Sequence, residues 1–389
     1  MTGRRVFIYV QHLLGIGHLK RAATLARALS ELGSEVTLAT GGFPVPQLMP
    51  PAVHVVQLAP AGTADFDFRS LLDPHGRPVD EAWRRRRRAE LLAAWRAARP
   101  HALVIELFPF GRRQMRFELL PLLEAASTVS PRPVIVSSVR DVLGQRDPAK
   151  QDEMLLLFER YFDHLLVHGD PRFIPFDQTF RHAARLGERL QYTGFIVDRA
   201  PPPGPPSEAG AGEVIVSAGG GAVGARLLET AIGARPLTAL AGQTWRLLAG
   251  VNASPGDLDR LSALAAEAAR GGVVVERSRN DFRTLLQNSS LSVSQGGYNT
   301  VMEIIECGAR AVVVPFAGGK ETEQTLRAHR LAARGRIEVV DEDALAPATL
   351  AAAVDRAVRG PAPRRGETDL NGARKSAELL MQWTAGFAW

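Results

Sequence analysis

Short apolar runs alternate with helical patterns along most of the chain. Before residue 200 the runs are "RVFIYV" (5–10), "EVTLAT" (35–40), "VHVVQL" (53–58), "HALVIEL" (101–107), "PVIVSS" (133–138) and "HLLVHG" (164–169). Their length and their glycine, proline or polar borders predict strands. Between the first two, Leu19, Ala22, Ala23, Leu25, Ala26, Leu29 and Leu32 fall on one face of a helix,. Such alternation predicts a parallel sheet wound with helices. The pattern restarts with "EVIVSA" (213–218), "TWRLLAG" (244–250), "GGVVVERS" (271–278), "LSVSQ" (291–295), "ARAVVVPF" (309–316) and "RIEVV" (336–340). The fold class expected is α/β, with two Rossmann-like parallel-sheet domains facing across a cleft. Ligands of such sheets bind beyond the carboxyl ends of the strands.

The break between the halves is "APPPGPPSEAGAG" (200–212), which can be neither a central strand nor a helix interior,. The expected domains are 1–199 and 213–364, two similar α/β units, with 200–212 as linker. Residues 365–389 read as a terminal helix able to cross back to the first domain.

Composition narrows the class. With 46% hydrophobic and 23% charged residues, and no apolar run of membrane-spanning length, the chain reads as a soluble globular protein,. Two arginines precede Val6–Val10, but that apolar stretch is too short for a signal peptide, which favours a cytoplasmic location,. The single cysteine, Cys307, excludes an internal disulfide and fits a reducing compartment,. A net charge of +6 suits anionic partners,. Aromatics at 6% without interleaved basic residues exclude a nucleic-acid stacking platform,. Five arginines, Arg84–Arg88, run through a helical pattern. They cover more than one face, so the first reading is a solvated basic surface and the sharper one is contact with anionic lipid headgroups.

Three glycine turns follow strands. Gly15-Ile16-Gly17 leads into a helix that carries His18 at its start, a ready anion site with a titratable group beside it. Gly219, Gly221 and Gly224, with Gly220 between them, satisfy the dinucleotide glycine pattern. The next strand ends in "RLLAGVNAS" without the carboxylate that a dinucleotide ribose needs, which leaves a diphosphate-cradling turn,. In "SVSQGGYNTVMEIIECG" (292–308), Gln295 is followed by Gly296 and Gly297, which permit close backbone approach. Asn299 and Thr300 offer donors at a helix start, and Glu303 lies one turn on,. A nucleoside diphosphate would use all of them, the carboxylate accepting from ribose hydroxyls. Glu323 and Gln324, at the next helix start, suit the hydroxyls of a sugar.

"SQGGYNTVMEIIECGARAVVVPF" together with "ETEQ" resembles the donor site of the GT-B glycosyltransferases, in particular the branch with the peptidoglycan N-acetylglucosaminyltransferase and its "predicted glycosyltransferase" relatives. "GIGHLKRAATLARAL" and "VIVSAGGGAVGARLL" extend the resemblance to both domains. It implies Glu303 on the ribose, Thr300 and Asn299 on the phosphates, Gln324 with Glu323 on the transferred sugar, and backbone near Arg279 on a base, usually uracil. It also implies inversion. Gln295 stands where plant-type relatives carry a phosphate-binding histidine, and the loop at 218–226 lacks the serine usual in the peptidoglycan enzyme. The base expected is His18, with Glu106 or Asp141 to orient or replace it. Gly15, Gly17, Arg112 and Arg140 are candidates for an acceptor phosphate. Three DxD matches, at Asp65, Asp257 and Asp341, occur in unrelated contexts, so no metal and no cofactor are expected beyond the UDP-sugar co-substrate. The acceptor expected is a hydroxyl or amine on an anionic or lipid-linked molecule, reached by peripheral contact with the inner membrane face. Epimerases and hydrolases of the same fold, and a non-catalytic sugar-nucleotide-binding subunit, are the alternatives.

Overall fold

The computed structural model describes residues 3–63, 70–144, 147–199, 207–219, 224–250, 253–269, 271–318, 322–363, 366 and 368–387. The chain forms two compact units, one of residues 1–198 with 369–389 and one of residues 199–368.

The strands of the first unit are β1 (Arg5–Val10), β2 (Glu35–Thr40), β3 (His54–Gln57), β4 (Ala102–Glu106), β5 (Val134–Arg140), β6 (His164–His168) and β7 (Leu190–Tyr192). They form a parallel sheet in the order β3-β2-β1-β4-β5-β6-β7. The helices are α1 (Gly17–Glu31), α2 (Glu81–Ala98), α3 (Arg116–Thr128), α4 (Pro148–Tyr161) and the short α5 (Ala183–Leu186). Both faces of β1 are covered, and accordingly "VFIYV" is apolar without alternation,. Phe7 and Tyr9 point into one core and Val6, Ile8 and Val10 into the other.

In the second unit β8 (Val214–Ser217), β9 (Trp245–Ala249), β10 (Val273–Arg277), β11 (Leu291–Gln295), β12 (Ala311–Val314) and β13 (Glu338–Val339) form a parallel sheet ordered β10-β9-β8-β11-β12-β13. Its helices are α6 (Ala225–Ala234), α7 (Pro255–Ala269), α8 (Phe282–Asn288), α9 (Tyr298–Cys307), α10 (Glu323–Ala332) and α11 (Pro347–Arg359). Helix α9 ends because Gly308 takes a left-handed conformation (φ 66°), which glycine adopts without strain,. In each sheet the winding direction reverses beside the first strand, between β1 and β4 and between β8 and β11. Those are the points where a crevice opens at the carboxyl ends. Of the glycine- and proline-rich stretch 200–212, residues 200–206 lie outside the described residues, and Ser207 and Ala209 accept hydrogen bonds from the Asn288 amide.

The last helix, α12 (Gly372–Trp383), belongs to the first unit. Its Ala377 and Leu380 are buried in the core that α1 supplies with Leu19 and Leu29. The Trp383 ring stacks on His164 at 3.7 Å, and Gly372 N–H donates to the Phe195 carbonyl at 3.0 Å. Among the described residues no helix is long and apolar enough to cross a membrane.

The arginine run corrects one expectation. On α2, Trp83, Arg87, Leu91 and Trp95 are the buried positions, spaced by four, so Arg87 lies on the core stripe rather than on a solvated face,. Its guanidinium is fully buried. It donates to Glu118 from Nε (2.8 Å) and Nη2 (2.9 Å), to the carbonyls of Gly41 (2.9 Å) and Ala59 (2.7 Å), and to the Gln11 side chain. Arg85 and Arg86 do face solvent.

Candidate active site

Strand β1 delivers the chain to Gln11 and His12, and the loop through Gly15 and Gly17 opens α1 with His18 in its first turn. Ile16 at the N-cap gives no side-chain hydrogen bond and the first turn has no acidic residue, so no side-chain carboxylate there offsets the positive end of the helix dipole,. Across the switch point β4 ends on Glu106. Its Oε1 lies 2.9 Å from His18 Nδ1 and accepts from Arg21 as well, whose Nη2 stands 3.0 Å from that same Nδ1. Arg21 was not anticipated from the sequence, although it sits one turn after His18. A carboxylate facing an arginine is ionised, so Nδ1 carries the hydrogen and donates to Glu106 Oε1, which leaves Nε2 as the bare, basic nitrogen. Glu106 is 2% exposed, and the His18 side chain 14%.

Charge around this pair is strongly positive. Burial would raise the Glu106 carboxyl, but Arg21 and His18 together hold it far below the usual range. His18 is held well below its ordinary value by burial first and then by Arg112, against the opposing pull of Glu106. The ring is therefore neutral at pH 7 and able to accept a proton. Burial and the neighbouring Arg140 lower Arg112 to about 10, while its Nε donates to the Gln11 carbonyl at 2.8 Å. Of the two carboxylates expected near His18, Glu106 carries the bond to it. Asp141 is buried just beyond β5, where its Cβ backs onto Gly169.

Two further buried histidines fix an acid limit for this unit. His12, whose Nε2 lies 3.0 Å from the Phe43 carbonyl, is lowered to about 4, chiefly by burial. His168 is lowered to about 3, by burial and then by Arg21. Unfolded histidines take up protons near about 6.5, so these groups cost no stability above that pH and an increasing amount below it. The expected loss is on the order of 2 kcal/mol for each at pH 5. Calorimetric unfolding should show the first unit's transition falling steeply between pH 7 and pH 5; a transition that stays in place would show the imidazoles to be solvated.

In the second unit β11 is fully buried up to Gln295 and Gly296. A Cβ on Gly296 would come within 3.2 Å of Pro315 Cα and of the Gln324 side chain, so the turn needs glycine for packing,. A Cβ on Gly297 would meet nothing within 4 Å. That open side is where a ligand can approach the backbone. Asn299 and Thr300 are half-buried in the first turn of α9, and Glu303 is buried one turn later at 6% exposure. Gly219, at the end of β8 with φ 71°, approaches the same place, its Cβ position lying 3.9 Å from Thr300 Oγ1. Gly220 and Gly221 lie outside the described residues. Glu323 is buried at the start of α10, and Gln324 Oε1 accepts from Phe316 N–H at 3.1 Å, which ties that helix to the end of β12.

Arg327 is a second residue the sequence reading missed. It is 1% exposed, lies 5.3 Å over the Tyr298 ring and reaches the Gly296 carbonyl at 3.4 Å, bracing the glycine turn from behind. Its position four residues after Glu323 was the available signal. Arg279 forks onto Asp281 (2.8 and 2.6 Å), which fixes the backbone of the loop after β10.

Comparison with known proteins follows the same two halves. Residues 272–380 match the glycosyltransferase family 28 C-terminal domain. A UDP-N-acetylglucosamine–N-acetylmuramyl-(pentapeptide) pyrophosphoryl-undecaprenol N-acetylglucosamine transferase of Methylorubrum extorquens is 24% identical over 372 residues, covering 94% of this chain and 91% of that protein. Among solved structures, MurG of Acinetobacter baumannii superposes with a TM-score of 0.58 at 15% identity, covering 97% of this chain and 99% of the other. The glycosyltransferase VinC in complex with dTDP gives a TM-score of 0.60 at 14% identity, over 98% and 95%. At these identities the structural likeness establishes the architecture, two parallel sheets of the GT-B kind.

Proposed function

We propose that this chain, a glycosyltransferase with the GT-B fold, moves a hexose or N-acetylhexosamine from a UDP-sugar to a hydroxyl or amine, with inversion and without a metal. The carrying observation is the β11–α9 turn, where open backbone at Gly297, the polar first turn of Asn299 and Thr300, and the buried Glu303 occur in one strand–turn–helix. A diphosphate at the amides of a helix N-terminus is favoured by the dipole and by the free N–H groups. Glu303, one turn deeper, then accepts from two vicinal ribose hydroxyls. Uracil is preferred over thymine because the relative that matches nearly the full length is named for a UDP-sugar. Gln324 and Glu323 hold the sugar.

The first unit supplies the base. His18 Nε2 takes the acceptor proton as the acceptor oxygen or nitrogen bonds to the anomeric carbon. The bond from that carbon to the diphosphate breaks on the opposite side, which inverts the centre. Departing negative charge is stabilised by the start of α9 and by Thr300, in the role a metal plays elsewhere. Arg112, near His18, and Arg140, next to Arg112, suit an acceptor with a phosphate or carboxylate, and a lipid-linked acceptor would bring the enzyme to the inner face of the membrane.

Calorimetric titration with UDP, dTDP, GDP and NAD tests the donor half. UDP should bind selectively, and Glu303→Ala should weaken it about 10- to 100-fold, the range for hydrogen bonds to a charged group. Tight NAD binding, or equal response to all four ligands, would end the reading.

A further inference from the structure

Behind Glu106 the carboxyl edge of the first sheet carries a row of buried polar side chains, one from each successive strand or its end. Ser138 on β5 is the register partner of Glu106 on β4, and its Oγ lies 2.8 Å from Glu106 Oε2. His168 closes β6, with Nε2 2.9 Å from Ser138 Oγ and Nδ1 2.9 Å from Oγ1 of Thr193, just past β7. Ser138, His168 and Thr193 are each no more than 2% exposed. None of them reaches solvent, so none can touch substrate.

The hydrogens of this row can be placed by elimination. Glu106, ionised against Arg21, can only accept, so the one Ser138 hydroxyl proton goes to Oε2. Ser138 Oγ must then accept from His168, which requires the Nε2–H tautomer. Nδ1 then turns its lone pair to Thr193 Oγ1, whose one hydrogen has both Nδ1 and the Gly194 carbonyl at 2.9 Å,. The Ser138 and His168 donors therefore both point towards Glu106, whose Oε1 is held by His18 and Arg21 and whose Oε2 is held by Ser138.

We propose that Ser138 and His168 are positioning residues for the transfer reaction: through this row they lock the Glu106 carboxylate in the orientation that keeps the hydrogen of His18 on Nδ1 and its lone pair on Nε2. The proposal rests on His18 being the base. The row orients and does not conduct: the proton taken from the acceptor stays on His18 Nε2, away from Glu106, until solvent removes it. The charged or titratable groups facing His18 are Arg21 on its own helix, Glu106 on β4 and Arg112 beyond it; His168 faces the far side of Glu106.

The row can be read without turnover. Long-range 15N–1H NMR of the imidazoles should show His168 as the Nε2–H tautomer and His18 as the Nδ1–H tautomer; His168 found with its hydrogen on Nδ1 would overturn the proposal. For kinetics, Ser138→Ala should lower kcat about 10-fold with KM unchanged, the scale of a small misplacement of a catalytic group. It should also move the acid limb of the pH–rate profile upward, because a carboxylate that has lost a donor holds the imidazolium more strongly. His168→Gln, whose amide can replace the Nε2–H donor, should retain most of the rate, whereas His168→Leu should behave like Ser138→Ala. An acid limb left in place in Ser138→Ala, or Gln and Leu variants of equal rate, would reduce the row to packing. Full turnover in His18→Ala would instead sink the base assignment while leaving the tautomer result standing.

Discussion

Replacing His18 with alanine should lower turnover by roughly 10²- to 10⁴-fold, the usual contribution of a positioned general base, and leave nucleotide affinity unchanged. The two readouts separate because His18 lies in the first unit, on α1, and the residues assigned to the nucleotide lie in the second. Structure supports a large effect: Glu106 fixes the tautomer, burial and the charge of Arg112 and Arg21 keep the ring neutral at pH 7, and Nε2 is the nitrogen left to act. The wild-type rate should accordingly stay level through neutrality and fall only in acid, below the ordinary histidine range. Single-turnover kinetics on His18→Ala, paired with UDP titration, decide the matter; a loss of less than about threefold would reassign the base.

Arg87→Met should be the most destabilising single change considered, at about 3 to 5 kcal/mol, because it strips the fully buried Glu118 of its cation and leaves it only the Tyr9 hydroxyl on one oxygen,. The Ala59 carbonyl loses the Arg87 donor as well, and the Gly41 carbonyl is left with the Ala61 N–H alone. For a unit of this size the melting temperature should drop by roughly 10 °C. The double variant Arg87→Met/Glu118→Leu should recover a substantial part of that loss, since removing both charges abolishes the unpaired ion. A double variant as unstable as the single one would place the cost in packing, not in charge. Function should suffer too: Arg87 also holds the Gln11 side chain, and the backbone carbonyl of Gln11 receives Arg112.

Hydrophobic periodicity carried most of the architecture. Both sheets are built from continuous apolar runs of the length that parallel strands require, and the strand–helix alternation leaves little choice of topology. Strand β7 escaped notice because it is three residues of "LQY" reached through two short turns, too brief for any period to register. The β11–α9 turn of the second unit was legible because strand, glycine turn and helix start are contiguous in one stretch. The first-unit site is assembled from β1, β4, β5 and β6, which are distant in sequence. His18 and Glu106 could be guessed from their places at strand and helix ends, whereas Arg21, Ser138 and His168 look like ordinary interior polar residues until the sheet aligns them. Arg87 was misread for a different reason. Counting charges along the run hid the spacing of four that joins it to Trp83, Leu91 and Trp95.

Since α12 completes the unit that contains β1, the ribosome delivers the entire second unit before the first has its last helix. Until then the apolar stripe of α1 that receives Ala377 and Leu380 has no cover, and His164 lacks its Trp383 lid. The second unit is built from one continuous segment, whereas the unit carrying His18 stays unfinished until residues 372–383 follow. Chain order thus inserts the whole second unit between the two segments that build the first, so the first unit can close only after residues 372–383 have left the ribosome, and until then its open α1 face is an aggregation-prone surface,.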